Sequence, residues 1–174
     1  MRNVEIKARV HDFKTIRILA EKLSGAPPTI IYQNDTFYNV NTGRLKLRRY
    51  GDGSATLVRY DREDEQGPKL SSYDLLDFSV NDTDQIKTLD NMMKKCLGVR
   101  GKVLKERIIY MVGPTRIHLD KVEDLGDFME LEVLLNSEQT FEDGQTIAKT
   151  LQNLLGVKDE DLISGAYVDL LDKK

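Results

Sequence analysis

Cysteine is almost missing from this chain. A single one, Cys96, stands among 174 residues, so no internal disulfide can form and packing alone must hold the fold. Neither sign of charge is in excess: 26 Lys and Arg against 29 Asp and Glu leave a formal charge of −3. That balance excludes the basic surplus of a nucleic-acid binder and the charge imbalance of a disordered chain. No stretch nears the ~20 consecutive apolar residues that cross a bilayer. The opening MRNVEIKARV lacks the apolar centre of a signal peptide, so a reducing, cytoplasmic setting without membrane contact is expected. Internal repeats, low-complexity tracts and linkers are absent too, and the length suits one domain over residues 1–174 with mass enough for a real core.

What the chain has is charge, on 32% of its residues, and it is arranged in rows. In NVEIKARV, Glu5, Lys7 and Arg9 fall on one side of a strand and Val4, Ile6, Ala8 and Val10 on the other, because successive side chains of a strand alternate. NDTFYNV, GRLKLRRY, SATLVRYD, SYDLLDFSV, VLKERIIYMV, TRIHLDKV and LGDFMELEVLL read as further strands joined by short connections. Helical spacing appears in HDFKTIRILAEKLSG, through Phe13, Ile16, Ala20 and Leu23 with Gly25 as the stop, and in FEDGQTIAKTLQNLLG. NDTDQIKTLDNMMKKCLG is a further helix, capped among Asn81, Asp82 and Thr83 and stopped at Gly98, whose apolar set Ile86, Leu89, Met92, Met93 and Cys96 places the lone thiol in packing. A last helical segment starts at DEDLIS and docks through Val168, Leu170 and Leu171. YDREDEQGPKLSS, residues 60 to 72, reads as a mobile connection.

Alternation assigns each strand a charged row: Arg44, Lys46 and Arg48; Leu57 with Arg59; Lys105 and Arg107; Arg116, His118 and Asp120; and, inside an apolar run, Glu130 and Glu132. Two closures accommodate the rows. The strands can stack as a sandwich with solvated charges, or curl into a barrel whose bore carries the charges while helices cover an apolar exterior. The helices need an apolar surface to cover, which favours the barrel, whereas an ionic interior is costly unless water or ligand fills it.

VEIKAR, DTFY, RLKLR, KERIIY, RIHLDKVEDLGDFMELEV and DLISGAYVDLL, in this order along nearly the whole chain, resemble the CYTH superfamily, the triphosphate tunnel enzymes, and within it the class IV adenylyl cyclase-like branch. The resemblance implies an α+β fold: a closed eight-stranded antiparallel β-barrel with helices packed outside. It implies metal-dependent phosphoryl or nucleotidyl transfer on ATP or another triphosphate or polyphosphate, with a homodimer as one assembly. Conversion of ATP to cyclic AMP and pyrophosphate is the first expectation. Hydrolysis of inorganic, thiamine or nucleoside triphosphate, and a catalytically weakened binding module, are the alternatives.

On that resemblance Glu5, Asp120, Glu130 and Glu132 are the expected ligands of Mg²⁺ or Mn²⁺, ions that pair carboxylates with substrate phosphates. Lys7, Arg9, Lys46, Arg48, Arg59, Lys105 and Arg107 are the expected phosphate binders, and Asp120, Lys105 and Arg107 the expected catalytic groups. His118 is expected to orient a neighbour, and Lys69 is a candidate lid cation. The family's opening Glu-x-Glu-x-Lys stands here as Asn3-Val4-Glu5-Ile6-Lys7, one acid short. Some relatives that hydrolyse triphosphates carry a lysine base at the position matched to Arg59, and an arginine there cannot serve as a base. Without ligand the bore is expected to be partly repulsive and watery.

Overall fold

The computed structural model describes residues 2–62 and 67–174. Its strands are β1 (Arg2–Arg9), β2 (Thr29–Tyr38), β3 (Arg44–Tyr50), β4 (Ala55–Arg62), β5 (Lys69–Phe78), β6 (Val99–Val112), β7 (Thr115–Val122) and β8 (Gly126–Leu134). They close into one antiparallel barrel in the order β1-β5-β4-β3-β2-β6-β7-β8. Helices α1 (Phe13–Ser24), α2 (Thr83–Leu97), α3 (Phe141–Leu154) and α4 (Tyr167–Asp172) accompany it. Of the connection read as mobile, the centre, residues 63–66, lies outside the described residues, and its flanks belong to β4 and β5.

Closure resolves the two packings left open by the pattern. The apolar rows turn outward and become the core: Val4, Ile6 and Ala8 of β1, Ile117 and Leu119 of β7, and Met129, Leu131 and Val133 of β8 pack against Ile16 and Ala20 of α1 and Ala148 and Leu151 of α3. Fully burying each large aliphatic side chain is worth about 1.5–3 kcal/mol, so the helices are held by the very surface that strand alternation supplies. The α3 contact needs a residue with no side chain: a Cβ on Gly144 would collide with Val4 and come within 2.9 Å of Leu135. Asp12 caps α1, accepting from the Thr15 amide, and Gly25 ends it at φ 65°, a conformation that glycine adopts without strain.

Two local expectations are corrected. On α2 the barrel-facing residues are Ile86, Leu89, Met93 and Leu97, a 3–4 spacing that carries Met92, 59% exposed, and Cys96 to the solvent side. The thiol therefore takes no part in the core. Lys69 is no lid cation: it opens β5 opposite Glu5 and is buried at 4% exposure.

The last helix does more than dock. Ala166, Tyr167 and Val168 pack with Phe37, Val103, Val122 and Phe128, closing one end of the barrel. Gly101 makes room, because a Cβ there would stand 2.9 Å from Val168 Cγ2. Asp169 secures the plug from outside through Arg44, at 2.9 Å, and Arg100.

Candidate active site

The barrel encloses a cavity of about 380 Å³ that is plugged at one end by Tyr167 and lined by the inward rows. Its size falls in the range of small-ligand sites. β3 and β6 run in the same direction, and each delivers its cations two residues apart, Lys46 and Arg48 from one and Lys105 and Arg107 from the other. Strand β2 lies between them and contributes Asp35.

Asp35 organises that cluster. Arg48 Nε and Nη2 each donate to it at 2.7 Å, Lys46 Nζ donates at 3.0 Å, and Lys105 Nζ stands 4.0 Å away. Burial alone would raise this carboxyl, but Arg48, Lys46 and Lys105 together hold it well below the usual range. The lysines are shifted the other way. Burial and Arg48 bring Lys46 down to about 8, and burial, Arg107 and Arg48 push Lys105 well below the ordinary lysine value. Positive charge is thus crowded beyond what one carboxylate neutralises, and a second anion would be welcome.

Across the bore the acids face their own partners. Lys7 Nζ lies 3.1 Å from Glu130 Oε2, and Arg107 Nη2 lies 3.8 Å from Glu130 Oε1. Glu132 accepts from Asn3 Nδ2 at 2.8 Å and from Arg116 Nη1 at 3.0 Å. His118 sits between the two glutamates, 3.6 Å from Glu130 and 3.7 Å from Glu132. Burial and Arg107 keep its pKa below the ordinary value despite the carboxylates, so it is neutral near pH 7. Glu5 lines the cavity next to Glu132 in the β1–β8 register. The bore is therefore extensively ion-paired before any ligand enters, and the partial repulsion expected from the sequence is confined to the cation cluster, where, beyond burial, Arg48 and Arg107 depress the lysines. Asp35, the first residue of DTFY but given no role in the site by the sequence, supplies the cation side of that pairing. Its signal was present: Gln33, Asp35 and Phe37 share one face of β2 by simple alternation.

Lys7, Lys46, Arg48, Lys105, Arg107, Glu5, Glu130 and Glu132 are brought together in the cavity lining. Three other expected site residues are not. Arg59 is the plain correction: Thr56, Val58 and Tyr60 are the β4 residues that line the bore, so Arg59 points outward, 45% exposed and 3.4 Å from Asp61. Outer-face pairing of Leu57 with Leu47 fixes that phase. Arg9 ends β1 at the surface, its guanidinium 5.2 Å from the Phe128 ring centre. Asp120 lies behind the wall with no exposure, its oxygens taken by Arg107 Nε and Nη2 at 2.7 and 2.6 Å and by the Tyr167 hydroxyl at 2.7 Å. Burial would raise its pKa, but Arg107 and Lys105 pull it well below the usual carboxylate range. In this geometry it fixes the aim of Arg107 instead of facing the cavity.

Among the described residues no three His, Cys, Asp or Glu side chains converge into a ready-made metal site. Glu5, Glu130 and Glu132 nevertheless present hard oxygen donors into one cavity opposite the cation cluster, a donor set suited to an ion that arrives on phosphate oxygens.

The CYTH domain family matches residues 1–167. A curated relative, the adenylate cyclase CyaB of Aeromonas hydrophila, is 32% identical over 97 residues, which span 55% of this chain and 50% of that relative. The match thus extends over about half the length of the relative. Among solved structures, a protein of Pyrococcus horikoshii OT3 superposes with a TM-score of 0.79 at 26% identity, covering 97% of this chain and 98% of that one. An RNA triphosphatase of S. pombe superposes with a TM-score of 0.52 at 14% identity over 88% of this chain and 78% of its own, a likeness of fold.

Proposed function

The chain belongs to the CYTH family, and from that premise we propose that its bore holds the phosphates of ATP and converts it to cyclic AMP and pyrophosphate. One observation carries the reading: Lys46, Arg48, Lys105 and Arg107 face Glu130 and Glu132 inside a cavity closed at one end. Such opposed sets suit a ligand that brings both anionic phosphates and a divalent cation, because each half of the wall is neutralised by one of them.

The cations would bind and orient the phosphate chain, Arg48 and Arg107 by planar N–H forks and the lysines as point charges. Asp120 and Tyr167 are positioning residues that keep Arg107 fixed. Glu5, Glu130 and Glu132 would hold Mg²⁺ or Mn²⁺, which when bound supplies charge stabilisation at the phosphate oxygens. In the reaction the ribose 3′-oxygen forms a bond to the α-phosphorus, the bond from that phosphorus to the bridging oxygen of the β-phosphate breaks, and pyrophosphate leaves with the electron pair. The 3′-hydroxyl proton passes to a base on the protein. Asp120, whose proton affinity is low and whose oxygens are taken by Arg107 and Tyr167, is poorly placed for that role.

Hydrolysis of a triphosphate is the second reading, favoured by the overlay on the RNA triphosphatase. Against it, the inward β4 positions Thr56, Val58 and Tyr60 offer no lysine of the kind some hydrolytic relatives use as a base. Incubation with ATP and Mg²⁺ or Mn²⁺, with separation of cyclic AMP, pyrophosphate, ADP and orthophosphate, tests the choice. Cyclic AMP with equimolar pyrophosphate is the expected result. ADP with orthophosphate would establish the hydrolase, and absence of any product from any triphosphate would leave a binding module.

A further inference from the structure

Arg44 belongs by alternation to the same row of β3 as Lys46 and Arg48, but the proposed reaction makes no use of it. It lies on the far side of the plug, where its Nη2 donates to Asp169 at 2.9 Å. Arg100, near the start of β6, donates to the same carboxylate and reaches Asp172 at 3.1 Å. Asp169 also accepts from the Ala166 amide at 2.6 Å, which caps α4. Burial would raise the Asp169 carboxyl, but that amide, Arg44 and Arg100 hold it below the ordinary value, so it is ionised near pH 7.

A helix of six residues has too few hydrogen bonds to hold itself in place, so its seating is set by what grips it. The Ile163 amide donates to the Lys7 carbonyl at 2.9 Å and ties the preceding segment to β1. Gly165, at φ 77°, then turns the chain into the plug. Beyond it the apolar packing of Ala166, Tyr167 and Val168 holds the helix down without fixing its rotation, because such packing is non-directional. The contacts of Asp169 are directional. Tyr167 and Asp169 stand two residues apart, about 200° around the helix, so the clamp is on one side and the ring that faces the bore is on the other. That ring lies 4.2 Å from Lys7 Nζ and 5.0 Å from Lys105 Nζ. Its hydroxyl donates to Asp120 at 2.7 Å, the carboxylate that holds Arg107 through both Nε and Nη2.

We infer that Arg44 and Arg100 are positioning residues of the phosphate site: by gripping Asp169 they seat Tyr167, and through Tyr167 and Asp120 they set the aim of Arg107. The inference rests on the phosphate-binding reading of the bore. Neither arginine touches the ligand, and their effect passes through a single short helix.

Titration calorimetry of the full chain with tripolyphosphate and Mg²⁺, in a double-mutant cycle of Asp169→Asn and Tyr167→Phe, tests it. Asparagine keeps an oxygen to cap Ala166 and removes the charge that Arg44 and Arg100 hold. Each single variant is expected to weaken binding about fivefold, the low end of coupling between distinct sites. The double variant is also expected to lose about fivefold, because without the Tyr167 hydroxyl the clamp has no route to Arg107. Arg100→Gln, at a guanidinium 35% exposed, is expected to act in the same direction and takes the place of Asp169→Asn in the cycle should that variant not fold. Clamp variants that bind as tightly as the unsubstituted protein, or losses that multiply to about twenty-five-fold in the double variant, would overturn the route from clamp to Arg107 and leave phosphate binding standing. Failure of tripolyphosphate to bind the unsubstituted protein would overturn the phosphate-binding reading and this inference with it.

Discussion

Lys46 ties ligand affinity to pH with a definite sign. Burial and the neighbouring Arg48 bring its pKa to about 8 in the ligand-free protein, so its protonated fraction falls from about nine tenths at pH 7 to about one tenth at pH 9. A polyphosphate that needs the ammonium must return that proton to bind. The affinity of α,β-methylene ATP should therefore drop about tenfold from pH 7 to pH 9 through Lys46 alone, or about 1.4 kcal/mol. Lys105, shifted in the same direction, adds to the slope. The ligand contributes little over this window, since a terminal phosphate with a pKa of about 6 is already ionised. Stability moves oppositely. A lysine whose folded pKa lies below its unfolded value costs stability throughout the acid side, and the cost is relieved as pH rises from about 8 toward the unfolded value. For Lys46 that gain is roughly 3 kcal/mol. Calorimetric titration at pH 7, 8 and 9 measures the affinity, and Lys46→Arg, which stays protonated throughout, should remove about tenfold from the pH effect. Affinity that is flat from pH 7 to 9, or a Lys46→Arg variant with the unaltered slope, would refute the reasoning.

Asp120→Asn leaves Arg107 buried without its bidentate carboxylate partner, a change that costs about 3–5 kcal/mol in urea denaturation and weakens polyphosphate binding. Tyr167→Phe removes only the hydroxyl donor to Asp120 and should cost about 1 kcal/mol by the same assay. Asn3→Glu replaces an amide that donates to Glu132 with another carboxylate, so in EDTA the variant should melt below the unsubstituted protein; with Mg²⁺ or Mn²⁺ it should show a larger metal-induced rise in Tm and higher turnover. Gly101→Ala forces its new methyl against Val168, loosening the plug at a cost of about 1–3 kcal/mol, which thermal melting measures, with faster proteolysis at the C-terminus.

Much of this site could be read from alternation because in β1, β7 and β8 the two rows differ so sharply. Val4, Ile6 and Ala8 against Glu5 and Lys7, or Met129, Leu131 and Val133 against Glu130 and Glu132, leave one choice of core face once helices must be covered. β4 gave no such contrast. Its rows, Leu57 with Arg59 and Thr56 with Val58 and Tyr60, each mix polar and apolar residues, and only pairing of Leu57 with Leu47 under α2 decides that Arg59 faces out. Asp35 was hidden for another reason. An acid among expected phosphate binders looks out of place until three cations from two other strands are seen to converge on it, and that convergence is a property of barrel register. Asp120 was correctly given an inward row, but its exclusion from the cavity depends on Tyr167, 47 residues away in sequence. Cys96 illustrates the helical version of the same problem: the apolar stripe of α2 was visible, but its centre lay one position from where the spacing alone would draw it.

A crystal structure of the protein with α,β-methylene ATP and Mg²⁺ bears most directly on the central claim that the bore is a polyphosphate site. Phosphate oxygens are expected within hydrogen-bonding distance of Lys46, Arg48 and Arg107, inside the cavity between the Tyr167 plug and the open mouth. Phosphates bound on the outer surface, with the Asp35 cluster and the Lys7–Glu130 pair unaltered, would contradict it.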